Sequence, residues 1–82
     1  MNRKIQLIWD FKGKEASLIA KHHKIHLDEY LLSNPYSLNI TGTIVESDFS
    51  AFAYLVVEEI DMIKFRDILK PHRAQVYEQI KE

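Results

Sequence analysis

"RAQVYEQIKE", Arg73 to Glu82, decides the fold, because its residues read in two ways. Ala74, Gln75 and Glu78 favour a helix, whereas Val76 and Ile80 alternate with Tyr77 and Gln79 in the two-residue period of a strand. Composition leaves both open. Topology favours the strand: the segments before it leave one sheet edge unpaired, and an unpaired edge is a liability that a closing strand removes. A strand over residues 74–80 is therefore expected.

Outward from that stretch, the punctuation is clear. Pro71 stops "DMIKFRDILK" (Asp61 to Lys70), whose Met62, Phe65, Ile68 and Leu69 have helical spacing and whose Asp61 suits an N-cap. "AFAYLVVEE" (Ala51 to Glu59) is apolar on both faces and reads as a central strand. "SLNITGTIVE" (Ser37 to Glu46) alternates and pairs with it through "SDFS" as a hairpin, with Gly42 marking a bulge or a close approach to a bulky group. "SNP" (Ser33 to Pro35) ends a helix over Glu15 to Leu32, since the residue before proline is pushed out of the α region. Ala16, Ile19, Ala20, His23, Leu27, Tyr30 and Leu31 form its apolar stripe. "KIQLIWDF" (Lys4 to Phe11) is a half-buried strand with Ile5, Leu7, Trp9 and Phe11 on one side, closed by Gly13.

The order is βαββαβ in 82 residues, one domain spanning 1–82. The expected class is α+β and ferredoxin-like, an antiparallel sheet with two helices on one face. A chain this short buries only about 60% of its unfolded surface, so its core is marginal without a staple or a partner. Cysteine is absent, which removes disulfides, thiolate ligands and cysteine nucleophiles together. Eleven basic and twelve acidic residues are interspersed, net charge −1. That balance weighs against nucleic acid as a partner, which needs a clustered positive surface. No apolar run approaches the roughly 18 residues of a membrane span, and Asp10 and Lys12 interrupt any leader-like start. No membrane partner and a soluble, cytoplasmic setting are expected.

Within this plan, "LIWDF", a histidine-bearing first helix, "FAYLVVEE", a short amphipathic helix and "PHRAQVYEQI" together resemble the small dimeric α+β-barrel proteins, the group that includes antibiotic-biosynthesis-monooxygenase-like domains. The resemblance is one of layout over nearly the whole chain and involves no signature motif. It implies two sheets facing each other across a homodimer and a pocket between sheet and helices. The residues add their own argument for pairing: Leu55, Val57 and Ile8 are read as lying on the sheet face turned away from Trp9 and Tyr54, an apolar face that a second copy would cover. Leu18, Ile25 and Leu32, on the outside of the first helix, are likewise too apolar for a free surface, which suggests that a second chain or the C-terminal segment covers them.

"AKHHKIHLDEY" (Ala20 to Tyr30) carries the chemistry. His22 and His26 share a flank with Glu29 one turn on, a spacing that suits two imidazoles on one metal ion, although a bare H-x-x-x-H is a weak pattern and a solvated flank is the plainer reading. His23 falls on the sheet-facing stripe. It reads either as a core histidine hydrogen-bonded to Asp10, Tyr54 or Tyr30, or as a pocket histidine that binds a ligand or works as an acid–base catalyst. The pocket reading places Trp9, Phe11, Ala20 and Tyr54 around it, with Phe52 completing an aromatic wall and His72 and Arg73 at one end. The expectation is a small homodimeric domain that binds an apolar or aromatic small molecule or acts without a cofactor; a structural or protein-interaction module is the alternative.

Overall fold

The structure is a computed structural model that describes residues 3–77. Strand β1 (Lys4–Lys12) leads into helix α1 (Ala16–Ser33), the hairpin β2 (Thr41–Ser47) and β3 (Ser50–Glu58), a short 3₁₀ turn (Glu59–Asp61), helix α2 (Met62–Leu69) and β4 (Arg73–Tyr77). The order in the sheet is β2-β3-β1-β4, antiparallel throughout. This is the expected α+β, ferredoxin-like layout. The ambiguous tail is a strand as far as Tyr77, paired with β1 from Lys4↔Tyr77 to Ile8↔Arg73; the remainder of the 74–80 expectation lies outside the described residues.

Leu27 and Leu31 of α1 and Phe65 of α2 pack with Ile5, Leu7, Trp9, Leu55 and Val57, so both helices cover one sheet face. At the other end of that face, Ala16 and Ala20 meet Ala51 and Ala53 with Phe11 against them. Four methyl-sized side chains let helix and sheet approach closely there, and all four are buried. The phase of β3 corrects the sequence reading. Leu55 pairs with Leu7, and Val57 with Ile5, facing the helices; Tyr54 pairs with Ile8 and Phe52 with Asp10, facing away. A strand that is apolar on both sides carries no phase of its own, so only its pairing with β1 sets which residues point inward.

The outer face is largely covered by its own side chains. Ile8, Phe52 and Val56 are buried there. Arg73 holds its guanidinium 5.4 Å from the Phe52 ring centre, fixed by donating to both Asp10 carboxylate oxygens at 2.8 and 3.1 Å. The Gln75 amide donates to the Gln6 side chain at 2.8 Å. Gly42 lies opposite Tyr54, and a Cβ at that position would come within 2.5 Å of the tyrosine hydroxyl oxygen. The glycine marks a close approach to a bulky group, and the register irregularity falls elsewhere, between Val45 and Ser47.

The helix ends are secured by other means than the sequence suggests. Asp61 occupies the N-cap of α2 but makes no capping bond, because its carboxylate accepts the Tyr36 hydroxyl at 2.6 Å. Lys70 closes α2 in the left-handed region, φ 54°, and Pro71 follows. The loop after Ser33 reaches β2 four residues later than the alternation of "SLNI" predicts, with Ile40 joined to β3 by a single bond from the Val56 amide.

Candidate functional site

α1 presents His23 to the sheet as its spacing predicts, midway between Ala20 and Leu27. The imidazole packs 4.8 Å from the Trp9 ring centre and 5.6 Å from that of Phe11. Trp9 is itself fixed, its indole N–H donating to the Leu69 carbonyl at 3.1 Å and tying β1 to the end of α2. His23 Nε2 is buried without a hydrogen-bond partner. Burial depresses the pKa of this imidazole, and the neighbouring His26 and His72 charges add to the effect; the neutral ring is favoured because a charged one loses hydration here.

The other predicted members of the pocket divide. Trp9, Phe11 and Ala20 lie on the His23 side. Tyr54 and Phe52 do not: they share the outer face, with ring centres 6.3 Å apart, and no aromatic wall of four forms. Asp10 also points outward, where the Arg73 guanidinium holds its carboxylate below the usual range, so neither Asp10 nor Tyr54 can serve His23. Ile19, expected in the buried stripe, is exposed. The alanines expected to open a gap instead close it, since a small side chain on each surface permits approach as readily as it leaves space.

His72 has a role that its position after Pro71 only hints at. Its ring Nδ1 accepts the Asp10 backbone N–H at 2.8 Å, and its backbone N–H donates to the Ile8 carbonyl at 2.9 Å. The imidazole thus takes over the β1 ladder one position beyond the last β4 pair, and packs its ring 6.2 Å from Phe11. His22 and His26 stack edge to face at 5.7 Å, and His26 Nδ1 lies 3.4 Å from a Glu29 oxygen. Among the described residues, no group of three or more His, Asp or Glu side chains could hold a metal ion.

A depression of about 420 Å³ opens at the C-terminal end of α1, between Asp28, Leu31, Pro35, Tyr36 and Asn39. Sequence reading passed over it, although an aromatic directly after the helix-ending proline and an aspartate directly before α2 were both visible. Its polar side chains are largely engaged within the protein. The Tyr36 hydroxyl donates to Asp61 and accepts the Glu58 backbone N–H at 2.9 Å, and burial together with the Asp61 carboxylate pushes its pKa up to about 12. Asp28 accepts from Lys24 at 2.7 Å and Thr41 at 2.5 Å; burial opposes ionisation, but these two bonds outweigh it and keep the pKa low. Only two buried side-chain polar atoms among the described residues have no partner, Glu58 Oε1 and His23 Nε2, and of these only His23 sits on an aromatic shelf.

No family model, curated protein or solved structure matches the chain. No helix among the described residues is long and apolar enough to cross a membrane.

Proposed function

We propose that the chain is a small homodimeric binding domain that takes an apolar or aromatic ligand against the Trp9–His23–Phe11 edge. The stranded His23 Nε2 carries this reading. A buried polar atom left unpaired costs about 1–3 kcal/mol, and a ligand hydroxyl, amide or carbonyl would supply the missing bond while its apolar body lay on the rings. The arrangement supports binding better than catalysis. The tyrosine and aspartate expected to assist His23 face the opposite side of the sheet, and His72 has its Nδ1 committed to the backbone. The sheet-to-sheet barrel implied by the resemblance has little support, because Ile8, Phe52 and Val56 are already covered within one chain.

The test is a fragment screen with small aromatic alcohols and amides, followed by the Trp9 indole and His23 imidazole signals in NMR, on the native chain and on His23→Gln. Glutamine keeps polarity and much of the volume but cannot titrate. Fragments that shift both signals and lose at least tenfold in affinity in a folded His23→Gln chain support the reading. Unchanged affinity, or no fragment reaching these residues, favours a second reading: a structural or protein-interaction module. The closed packing of Ala16, Ala20, Ala51 and Ala53 is the observation on that side.

A further inference from the structure

Exposed apolar side chains occur on several elements, Val45 on β2, Phe49 in the hairpin turn and Ile60 and Ile63 around the start of α2 among them, but on α1 they form a regular row. Leu18, Ile25 and Leu32 are 62%, 51% and 82% exposed, and they recur every seven residues along the helix. A spacing of seven drifts only about 20° per repeat on a straight helix, so the three form a nearly axial seam. It lies opposite the stripe that Ala16, Ala20, Leu27 and Leu31 bury on the sheet. Isolated exposed aliphatics need no explanation, but a continuous row at this period is the pattern by which one helix packs along another.

We propose that the second copy docks here, α1 against α1 in antiparallel register about a two-fold axis at Ile25. This rests on the homodimer reading above and changes its surface. The symmetry of the sequence about Ile25 chooses the occupant. Leu18 and Leu32 are equally far from Ile25 on either side, so each Leu18 meets the partner's Leu32 and Ile25 meets its own copy, the self-complementarity that an isologous contact requires. The flanks match as well. At 100° per residue, His22 and Glu29 fall on one flank of the seam, Lys21 and Asp28 on the other. A two-fold axis between antiparallel helices keeps each flank on its own side, which sets His22 beside the partner's Glu29 and Lys21 beside the partner's Asp28. On one flank Lys21 meets the partner's Asp28, an opposite charge already paired with Lys24 of its own chain, and on the other the His22 ring can donate an N–H to the partner's Glu29. A shallow depression of about 240 Å³ lined by Leu18, Ile19 and His22 lies at the height of the partner's Leu32, the most exposed member of the seam. Three aliphatic layers bury less than the roughly 800 Å² per partner of a standard interface, so the dimer is weak and is read at tens to hundreds of micromolar.

Sedimentation equilibrium over that range on the native chain, Ile25→Glu and Ile44→Glu tests the proposal. Ile25→Glu sets two like charges on the axis and is expected to raise the dimer Kd at least tenfold with the circular dichroism spectrum unchanged. Ile44→Glu alters the outer sheet face and is expected to leave Kd unaltered. Because the chain has no cysteine, Ile25→Cys can crosslink only to a second copy, and rapid disulfide dimer formation under mild oxidation is expected. Mixing His22→Glu with Glu29→Lys is expected to restore the association that each loses alone. A native chain that stays monomeric overturns both the homodimer and this surface. A dimer insensitive to Ile25→Glu but abolished by Ile44→Glu overturns the α1 surface and leaves the homodimer standing.

Discussion

Gly42→Ala isolates one contact, that between the β2 backbone and the Tyr54 ring. A Cβ built on Gly42 lies 2.5 Å from the Tyr54 hydroxyl oxygen, 2.7 Å from Cζ and 2.9 Å from Cε2. Carbon atoms normally pack at about 3.5–4.0 Å, so the ring must retreat by about 1 Å or swing off β2. Gly42 has ordinary extended backbone, without the positive φ of Gly13, so alanine adds no dihedral strain. Overpacking costs about 1–3 kcal/mol, and the lower part of that range applies because Tyr54 is half-buried and can yield toward solvent. Against it, alanine in a strand gains about 0.5–1 kcal/mol over glycine through chain entropy. The expected net is a loss of about 1 kcal/mol in the native background. With Tyr54→Ala the clash vanishes and only the entropic gain remains, so Gly42→Ala then stabilises by about 0.5 kcal/mol. Urea unfolding of the four chains of this double-mutant cycle, followed by circular dichroism, should give a coupling of about 1.5 kcal/mol. Equal effects of Gly42→Ala in both backgrounds would refute the argument.

The remaining predictions follow from single groups. Trp9 is the chain's one tryptophan and stacks on His23, so its fluorescence should report imidazole protonation, with a midpoint below the ordinary histidine value near 6.5; a midpoint above it contradicts the burial of the ring. Because that pKa is lower in the folded state, the unfolded chain binds the proton more readily, so stability falls as pH drops from about 6.5 toward the folded pKa, by at most about 1.4 kcal/mol per pH unit. His23→Gln should remove this slope, which denaturant midpoints at pH 7.5 and 5.5 will show. Tyr36→Phe should cost about 1–3 kcal/mol by stranding Asp61 and the Glu58 amide, and should abolish the tyrosine absorbance step expected near pH 12. His72→Ala should cost about 1 kcal/mol by freeing the Asp10 amide, with faster hydrogen exchange at that amide as the check.

The sequence by itself determined the element order, the sheet-facing phase of His23 and the outward row Leu18, Ile25 and Leu32. Each follows from local periodicity, which a helix or a half-buried strand writes directly into its residues. Periodicity was silent for β3. "AFAYLVVEE" is apolar at most positions, so which residues face the helices depends on a register formed with β1 about forty to fifty residues away, and Tyr54 and Phe52 could be placed beside Trp9 only by assumption. The pairings of Tyr36 with Asp61, Arg73 with Asp10 and His72 with the Asp10 amide join residues distant in the chain. They exist because the sheet brings strand ends together, and no spacing within one segment encodes them. Tertiary structure likewise decided what the alanines do. Ala16 and Ala20 could equally have left a pocket or closed one, and the answer came from Ala51 and Ala53, the small residues that β3 happened to set opposite.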